Sequence, residues 1–196
     1  MLITWFGKEL LMVKIYTKVG DHGQTKQVTG QMVDKDDAQI ETLGAFDELQ
    51  SWIGVVIAAL TAGTAGLADE LADRQRELYQ LQSDIAVPRS HRIGAELTTR
   101  LEERIDDIMA TTPRLKEFIL PGGSPAGAGL QYARTLARRA ERQLVTLHKA
   151  SPQPDAIMTY VNRLSDYLFA LALYVNYREG YQEVPSKKRV DNNSGR

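Results

Sequence analysis

Residues 124–150 read SPAGAGLQYARTLARRAERQLVTLHKA. Ser124 ahead of Pro125 has the form of a helix N-cap followed by proline at the first helical position. From there Leu130, Ala133, Ala137, Ala140, Leu144 and Leu147 recur at steps of three and four, the period of an amphipathic helix. The seam is coiled-coil-like, and its alanines let a neighbouring helix come close. This predicts a long helix over 125–150, and Pro152 and Pro154 mark the turn that follows it.

A matching seam lies directly downstream. Ile157, Val161, Leu164, Leu168, Leu171 and Val175 predict a helix over 155–179, with Gly180 as its stop. Upstream, Phe46, Leu49, Ile53, Val56 and Leu60 predict a helix over 38–61. The connector Thr-Ala-Gly-Thr-Ala-Gly follows at 61–66. Leu71, Leu78, Leu81 and Ile85 predict another helix over 67–87, stopped by Pro88. Leu97, Leu101, Ile105 and Ile108 predict one over 95–110, ended by Thr111-Thr112-Pro113, and Phe118-Ile119-Leu120 reads as a short strand-like run. Five amphipathic helices with short connectors predict an all-α, antiparallel five-helix bundle. No internal repeat is visible, nor the strand–helix alternation of a dinucleotide-binding sheet.

Composition bounds the function. The chain has 196 residues, 43% of them apolar, enough for one domain with a sizeable core. A formal net charge of −1 gives no reason to expect a nucleic-acid partner. The absence of cysteine excludes disulfides and thiolate metal sites and fits a reducing cytoplasm. Apolar runs are too short to span a bilayer, so no membrane association is expected. Residues 1–11 lack a signal peptide's apolar core and cleavage site. Met12 is read as the natural start, so 1–12 is expected to be an extension without order, 13–180 the domain and 181–196 a polar, frayed tail.

Between that start and the first predicted helix, residues 17–37 are polar and broken by Gly20, Gly23 and Gly30. This is expected to be a long ordered loop, a feature that in compact domains is usually functional or disordered. Thr17, Lys18, Thr25 and Lys26 surround the Gly20-Asp21-His22-Gly23 core. Glycines permit close backbone approach, and successive N–H groups can cradle an anion. The stretch therefore reads as a phosphate cradle, or as a polar turn with solvated lysines; His22 is expected to face solvent.

Three further sets carry possible chemistry. At about 100° per residue, Arg134, Arg138 and Glu141 share a narrow sector bordering the apolar seam, with Arg142 just beyond it. Arginines so placed are partly desolvated and suited to phosphate or carboxylate; the other reading is a solvated charged face. Asn162 and Asp166 lie one turn apart and read as a base or ribose contact, or as surface decoration. Asp47 is a free carboxylate or the partner of an arginine, and Phe118 a core aromatic or one projecting into a cavity beside the Pro121-Gly122-Gly123 turn. No P-loop, zinc-hydrolase motif or nucleophile elbow is present.

Taken together, the segments Lys14-Ile15-Tyr16-Thr17-Lys18 with Gly20-Asp21-x-Gly23, Asp47-Glu48-Leu49 with Ser51-Trp52-Ile53-Gly54, Phe118 to Gly123, Arg134 to Arg142 and Asn162 to Asp166 resemble the PduO-type ATP:cob(I)alamin adenosyltransferases, in that family's order and spacing. The resemblance implies a ferritin-like trimer of five-helix bundles with active sites between subunits. It implies transfer of the 5′-deoxyadenosyl group of ATP to the cobalt of cob(I)alamin, with release of triphosphate. ATP would contact Thr17, Lys18, Val19, Gly20, Thr25, Lys26 and Lys35, then Arg138, Arg139, Glu141, Arg142 and Asn162. Asp47 would pair with a neighbour's Arg134, and Phe118 would face the lower side of the corrin. Mg²⁺ would ride on the triphosphate and needs no protein ligand. A flavin-dependent reductase and an adenosylcobalamin-dependent enzyme are the implied protein partners. Leu43, Ala45, Phe46 and Gln50 depart from the residues common in the family. Two other readings use the same bundle: a non-catalytic carrier or sensor of corrinoids or nucleotides, and a structural bundle whose charged faces only assemble subunits.

Overall fold

In the chain's computed structural model, residues 15–87 and 89–187 are described. The fold is built on the predicted long helix, α4, Pro125–Ala150, together with its successor α5, Asp155–Arg178. Ser124 caps α4 by accepting from the Gly127 amide at 3.0 Å, as its sequence position predicts. Helices α1, Ala38–Ala58, and α2, Ala68–Ala86, pack on each other, and α1 also lies along α4. Helix α3, Ala95–Thr111, lies along α5. The five-helix bundle is thus confirmed, with α4 and α5 as the central pair.

The small residues of α4 work as the seam requires. Ala126, Ala133, Ala137 and Ala140 are fully buried. The Trp52 indole N–H of α1 donates to the Gly129 carbonyl at 2.8 Å. A β-carbon on Gly129 would stand 3.0 Å from Val56, so closeness of α1 to α4 depends on that glycine.

On the other side of the bundle the core is partly ionic. Tyr160 and Tyr167 of α5 are fully buried and donate to Glu77 (2.7 Å) and Glu70 (2.9 Å) of α2. Arg74 pairs with Glu77 at 2.9 Å, and Arg104 of α3 donates twice to Glu70. A buried carboxylate such as Glu77 is tolerable only when paired and hydrogen-bonded, and both Glu77 and the partly buried Glu70 have both kinds of partner. Burial, then the Glu77 charge, pushes the Tyr160 phenol well up, keeping it a donor.

Several boundaries and one element differ from the sequence expectations. The loop over 17–37 contains an antiparallel hairpin, β1, Gln24–Lys26, paired with β2, Met32–Asp34. Its turn closes through the Gln27 amide bonded to the Gln31 carbonyl, with Gly30 at φ 92°; three-residue strands are too short for a period-two signal. Helix α1 stops before 61, where the Thr64 hydroxyl accepts from the Thr61 amide and donates to the Thr61 carbonyl, a local competition typical of threonine. One 3₁₀ turn, Ala65–Leu67, precedes α2. Val87 is extended, the conformation that a following proline favours. Helix α5 ends with Gly180 at φ 76° and the Tyr181 amide bonded to the Asn176 carbonyl, a Schellman cap.

The larger correction concerns the residues after α5. Part of the expected frayed tail is ordered: Leu120 donates to the Val184 carbonyl and Ser186 to the Phe118 carbonyl, each at 2.8 Å. The strand-like run thus finds its partner in 181–187, across an Ile119–Pro185 bridge. The 1–12 extension, Lys14 and residues 188–196 lie outside the described residues.

Candidate active site

The phosphate-cradle stretch forms a turn held by the Asp21 amide on the Lys18 carbonyl and the Gly23 amide on the Gly20 carbonyl. Lys18 has φ 63° and Gly23 φ 83°, so the backbone here is left-handed at two points. A β-carbon on Gly20 would stand 3.2 Å from both the Gln24 carbonyl and the Lys35 ammonium; the glycine lets Lys35 lie against the turn. Thr17, Lys18, Val19 and Lys26 are exposed, as is His22.

Gln39 of α1 fastens the hairpin to the bundle. It accepts from the Gln27 side chain and donates to the Ile85 carbonyl at the end of α2, both at 2.8 Å. Gln39 carried no signal as a lone polar residue near a helix start. Below the hairpin lies a cleft of about 640 Å³, where Thr25 and Lys35 meet Ala45 and Glu48 of α1 and Arg139 and Gln143 of α4. Arg139 is ion-paired with Glu48 across it.

A second cleft, of about 620 Å³, opens between α4, α5 and the run before α4. Phe118, Pro121 and Phe169 give it an apolar wall, and Arg134 and Arg138 line it together with Lys116, Glu117 and Asp166. Phe118 is 88% exposed, so the structure rejects the core reading and supports the projecting one. The Arg134 guanidinium lies 6.0 Å above the Phe169 ring, and its Nε donates to the Gln131 carboxamide at 3.2 Å. Gln131 is buried and its Nε2 has no hydrogen-bond partner. That carboxamide, next to the seam residue Leu130 and without a signal in the sequence, holds Arg134 beside the cleft.

The predicted residues therefore divide. Thr25, Lys35 and Arg139 share the first cleft; Phe118, Arg134 and Arg138 share the second. Glu141 and Asn162 join α4 to α5 through a 2.9 Å hydrogen bond. Arg142 is exposed on α4, and Asp47 is exposed on α1. Arg138 and Arg142 are more exposed in the single chain than the desolvated sector implied. Asp166 bonds Arg163 of its own helix at 2.8 Å, so it is engaged locally. No ion pair among the described residues joins Asp47 to Arg134.

Two of the unusual positions have structural work to do. Phe46 is fully buried. Gln50 exchanges hydrogen bonds with Gln75 and accepts from Gln82, tying α1 to α2.

Ser165, the described hydroxyl of the second cleft, donates to the Asn162 carbonyl of its own helix and not to a base. The arrangement offers two clefts flanking one helix: a polar one in which Lys35 and Arg139 face Glu41 and Glu48, and an aromatic one in which Arg134, Arg138 and Lys116 outnumber Glu117 and Asp166. A family model described as cobalamin adenosyltransferase matches residues 15–175. The chain is 44% identical over 177 residues to the corrinoid adenosyltransferase of Bacillus subtilis, covering 88% of this chain and 91% of that one. It is 39% identical to the human corrinoid adenosyltransferase MMAB, covering 87% and 72%. A variant of the PduO-type ATP:corrinoid adenosyltransferase of Lactobacillus reuteri, solved with cobalamin and ATP, superposes with a TM-score of 0.86 at 38% identity over 89% of this chain and 97% of that one. The chain belongs to the cobalamin adenosyltransferase family. Within it, the chain is of the PduO type.

Proposed function

We propose that the chain transfers the 5′-deoxyadenosyl group of ATP to the cobalt of cob(I)alamin, giving adenosylcobalamin and triphosphate. The observation that carries this reading is the pair of unlike clefts flanking α4. The polar one under the hairpin suits a triphosphate and the aromatic one beside Phe118 suits the corrin.

Cobalt(I) is the nucleophile: a Co–C bond forms to C5′, the C5′–O bond breaks, and its electron pair leaves with the triphosphate. The protein therefore needs no general base. Its tasks are to hold C5′ over cobalt, which is proximity catalysis, and to stabilise charge on the leaving group. Thr17, Lys18, Val19, Gly20, Thr25, Lys26 and Lys35 supply donors from the loop and hairpin. Arg138, Arg139, Glu141, Arg142 and Asn162 supply them from α4 and α5. Among the described residues no cluster of three His, Cys, Asp or Glu side chains is set to hold a metal. Mg²⁺ would ride on the triphosphate and screen its charge. Phe118 excludes water and the lower base from cobalt, favouring the four-coordinate cobalt(II) that is easier to reduce.

Both clefts lie open at the surface of one chain, and the loop residues and Arg138 belong to different ones. This supports a homotrimer in which one subunit's hairpin meets a neighbour's α4, with Asp47 pairing across the interface with Arg134. A flavin-dependent reductase upstream and an adenosylcobalamin-dependent enzyme downstream complete the scheme, in the cytoplasm. No described helix is long and apolar enough to cross a membrane.

The two substituted positions in the Lactobacillus reuteri structures, a phenylalanine and an arginine, stand twenty residues apart, as Phe118 and Arg138 do here. That spacing supports the assignment of these two. The test is anaerobic incubation with ATP, Mg²⁺ and chemically reduced cob(I)alamin, following the cobalt–carbon product optically. Folded protein that forms no product would overturn this reading.

A further inference from the structure

Phe118 buries almost none of its own surface, so contacts of its own do not hold it in place. Its backbone does the holding, and the chain of restraint can be followed inward. The Phe118 carbonyl accepts from Ser186 and the Leu120 amide donates to Val184. Residues 181–187 are in turn fastened to α5, where Asn176 Nδ2 donates to the Glu183 carboxylate at 2.9 Å. The same Nδ2 donates to the Gly122 carbonyl at 3.0 Å, and Oδ1 accepts from the Ser124 amide at 3.1 Å.

Asn176 is 1% exposed and links α5, the turn before α4 and the segment after α5. Space for it is reserved: a β-carbon on Gly123 or Gly127 would collide with its carboxamide. Gly123, at φ 115°, is also in a backbone region that favours glycine. A buried polar group with all its contacts matched is a rigid anchor.

We infer that Asn176 and Glu183 are positioning residues for Phe118, a latch through which 181–187 fixes the height of the aromatic ring in the second cleft. The inference rests on the reading of Phe118 as the residue that faces the lower side of the corrin. The latch touches neither substrate; it acts only through the backbone of 118–123.

The test compares Phe118→Ala, Glu183→Ala, Glu183→Gln and the double variant Phe118→Ala with Glu183→Ala. Each is assayed with pre-reduced cob(I)alamin and with cob(II)alamin plus a reductant. Glu183→Ala should lose on the order of tenfold in the cobalt(II) assay, as expected for a misplaced group, and little in the cobalt(I) assay. Electron paramagnetic resonance should show less four-coordinate cobalt(II) on the enzyme with ATP. Glu183→Gln keeps an acceptor for Asn176 and should restore both. The Leu120 amide should exchange faster in Glu183→Ala, and the double variant should be no worse than Phe118→Ala. Asn176→Ala should show the same split; if it does not fold, the Glu183 pair decides.

If Phe118→Ala shows the cobalt(II)-specific loss and Glu183→Ala does not, the latch is wrong and the reading of Phe118 stands. Equal losses of Glu183→Ala in both assays, or additive losses in the double variant, also overturn the latch. If Phe118→Ala loses equally from both cobalt states, the reading of Phe118 fails and the latch has no role in the reaction.

Discussion

Arg138 and Arg139 are adjacent on α4 yet serve different clefts: Arg138 lines the one beside Phe118, and Arg139 reaches Glu48 under the hairpin. The helix turns about 100° between them. A pair of consecutive arginines can thus present charge to two ligands, or to two parts of one ligand.

Arg138 is exposed and bonded to no described carboxylate, so its removal leaves no buried charge behind. Arg138→Ala should keep the fold and the elution volume of the parent but lose about 10²-fold or more in turnover, the scale for removing one stabilising donor from a developing anion. Steady-state kinetics alongside size-exclusion chromatography checks both halves. Wild-type rates would take Arg138 out of the reaction.

Glu48 competes for the guanidinium that is assigned to ATP. Both members of the Arg139–Glu48 pair are substantially exposed, so the pair contributes at most about 1 kcal/mol to stability. Glu48→Gln should leave the melting temperature within a few degrees and lower the KM for ATP severalfold by freeing Arg139 and removing a negative charge. An unchanged KM would mean that Arg139 does not meet the nucleotide.

The α2–α5 core gives a prediction about stability alone. Tyr160→Phe removes the donor to Glu77 and leaves that carboxylate to Arg74. The expected loss is about 1–3 kcal/mol in chemical denaturation, the scale for orphaning a buried polar partner. The rate should be unchanged, since Tyr160 reaches neither cleft. A change in turnover without a change in stability would contradict this.

The helices and the core face were legible because each seam repeats over many turns, and α4 matches its expected bounds at both ends. What stayed hidden was what depends on pairing far along the chain. The hairpin strands span three residues each, and Phe118 finds its backbone partner in 181–187. The family resemblance identified Arg138 and Phe118, while Gln39, Gln131 and Asn176 went unnoticed. Each is a single amide whose function appears only when its hydrogen-bond partners, up to 54 residues away for Asn176, are known. Glu48 stands in the Asp47-Glu48-Leu49 motif, but its link to Arg139, 91 residues on, needs the fold.

Glu179 should make stability depend on pH in a way one substitution can isolate. Burial acts to raise its carboxyl, but hydrogen bonds from Ser124, Thr64 and Thr61 outweigh it and hold the group below its ordinary value of 4.5. The Thr61 and Thr64 hydroxyls lie 2.8 and 2.7 Å from Oε1. The carboxylate is thus favoured in the folded chain over the unfolded one, so folding gains from its ionisation. That gain is fully present above about pH 4.5, the unfolded value. It disappears as the pH falls through the lower folded value, where both states become protonated. Glu179→Gln should therefore be less stable than the parent at neutral pH, with the difference shrinking on acidification below about pH 4.5. Denaturation midpoints measured from pH 7 downward test this, and a difference that stays constant with pH would show that the threonine hydroxyls do not favour the charged form.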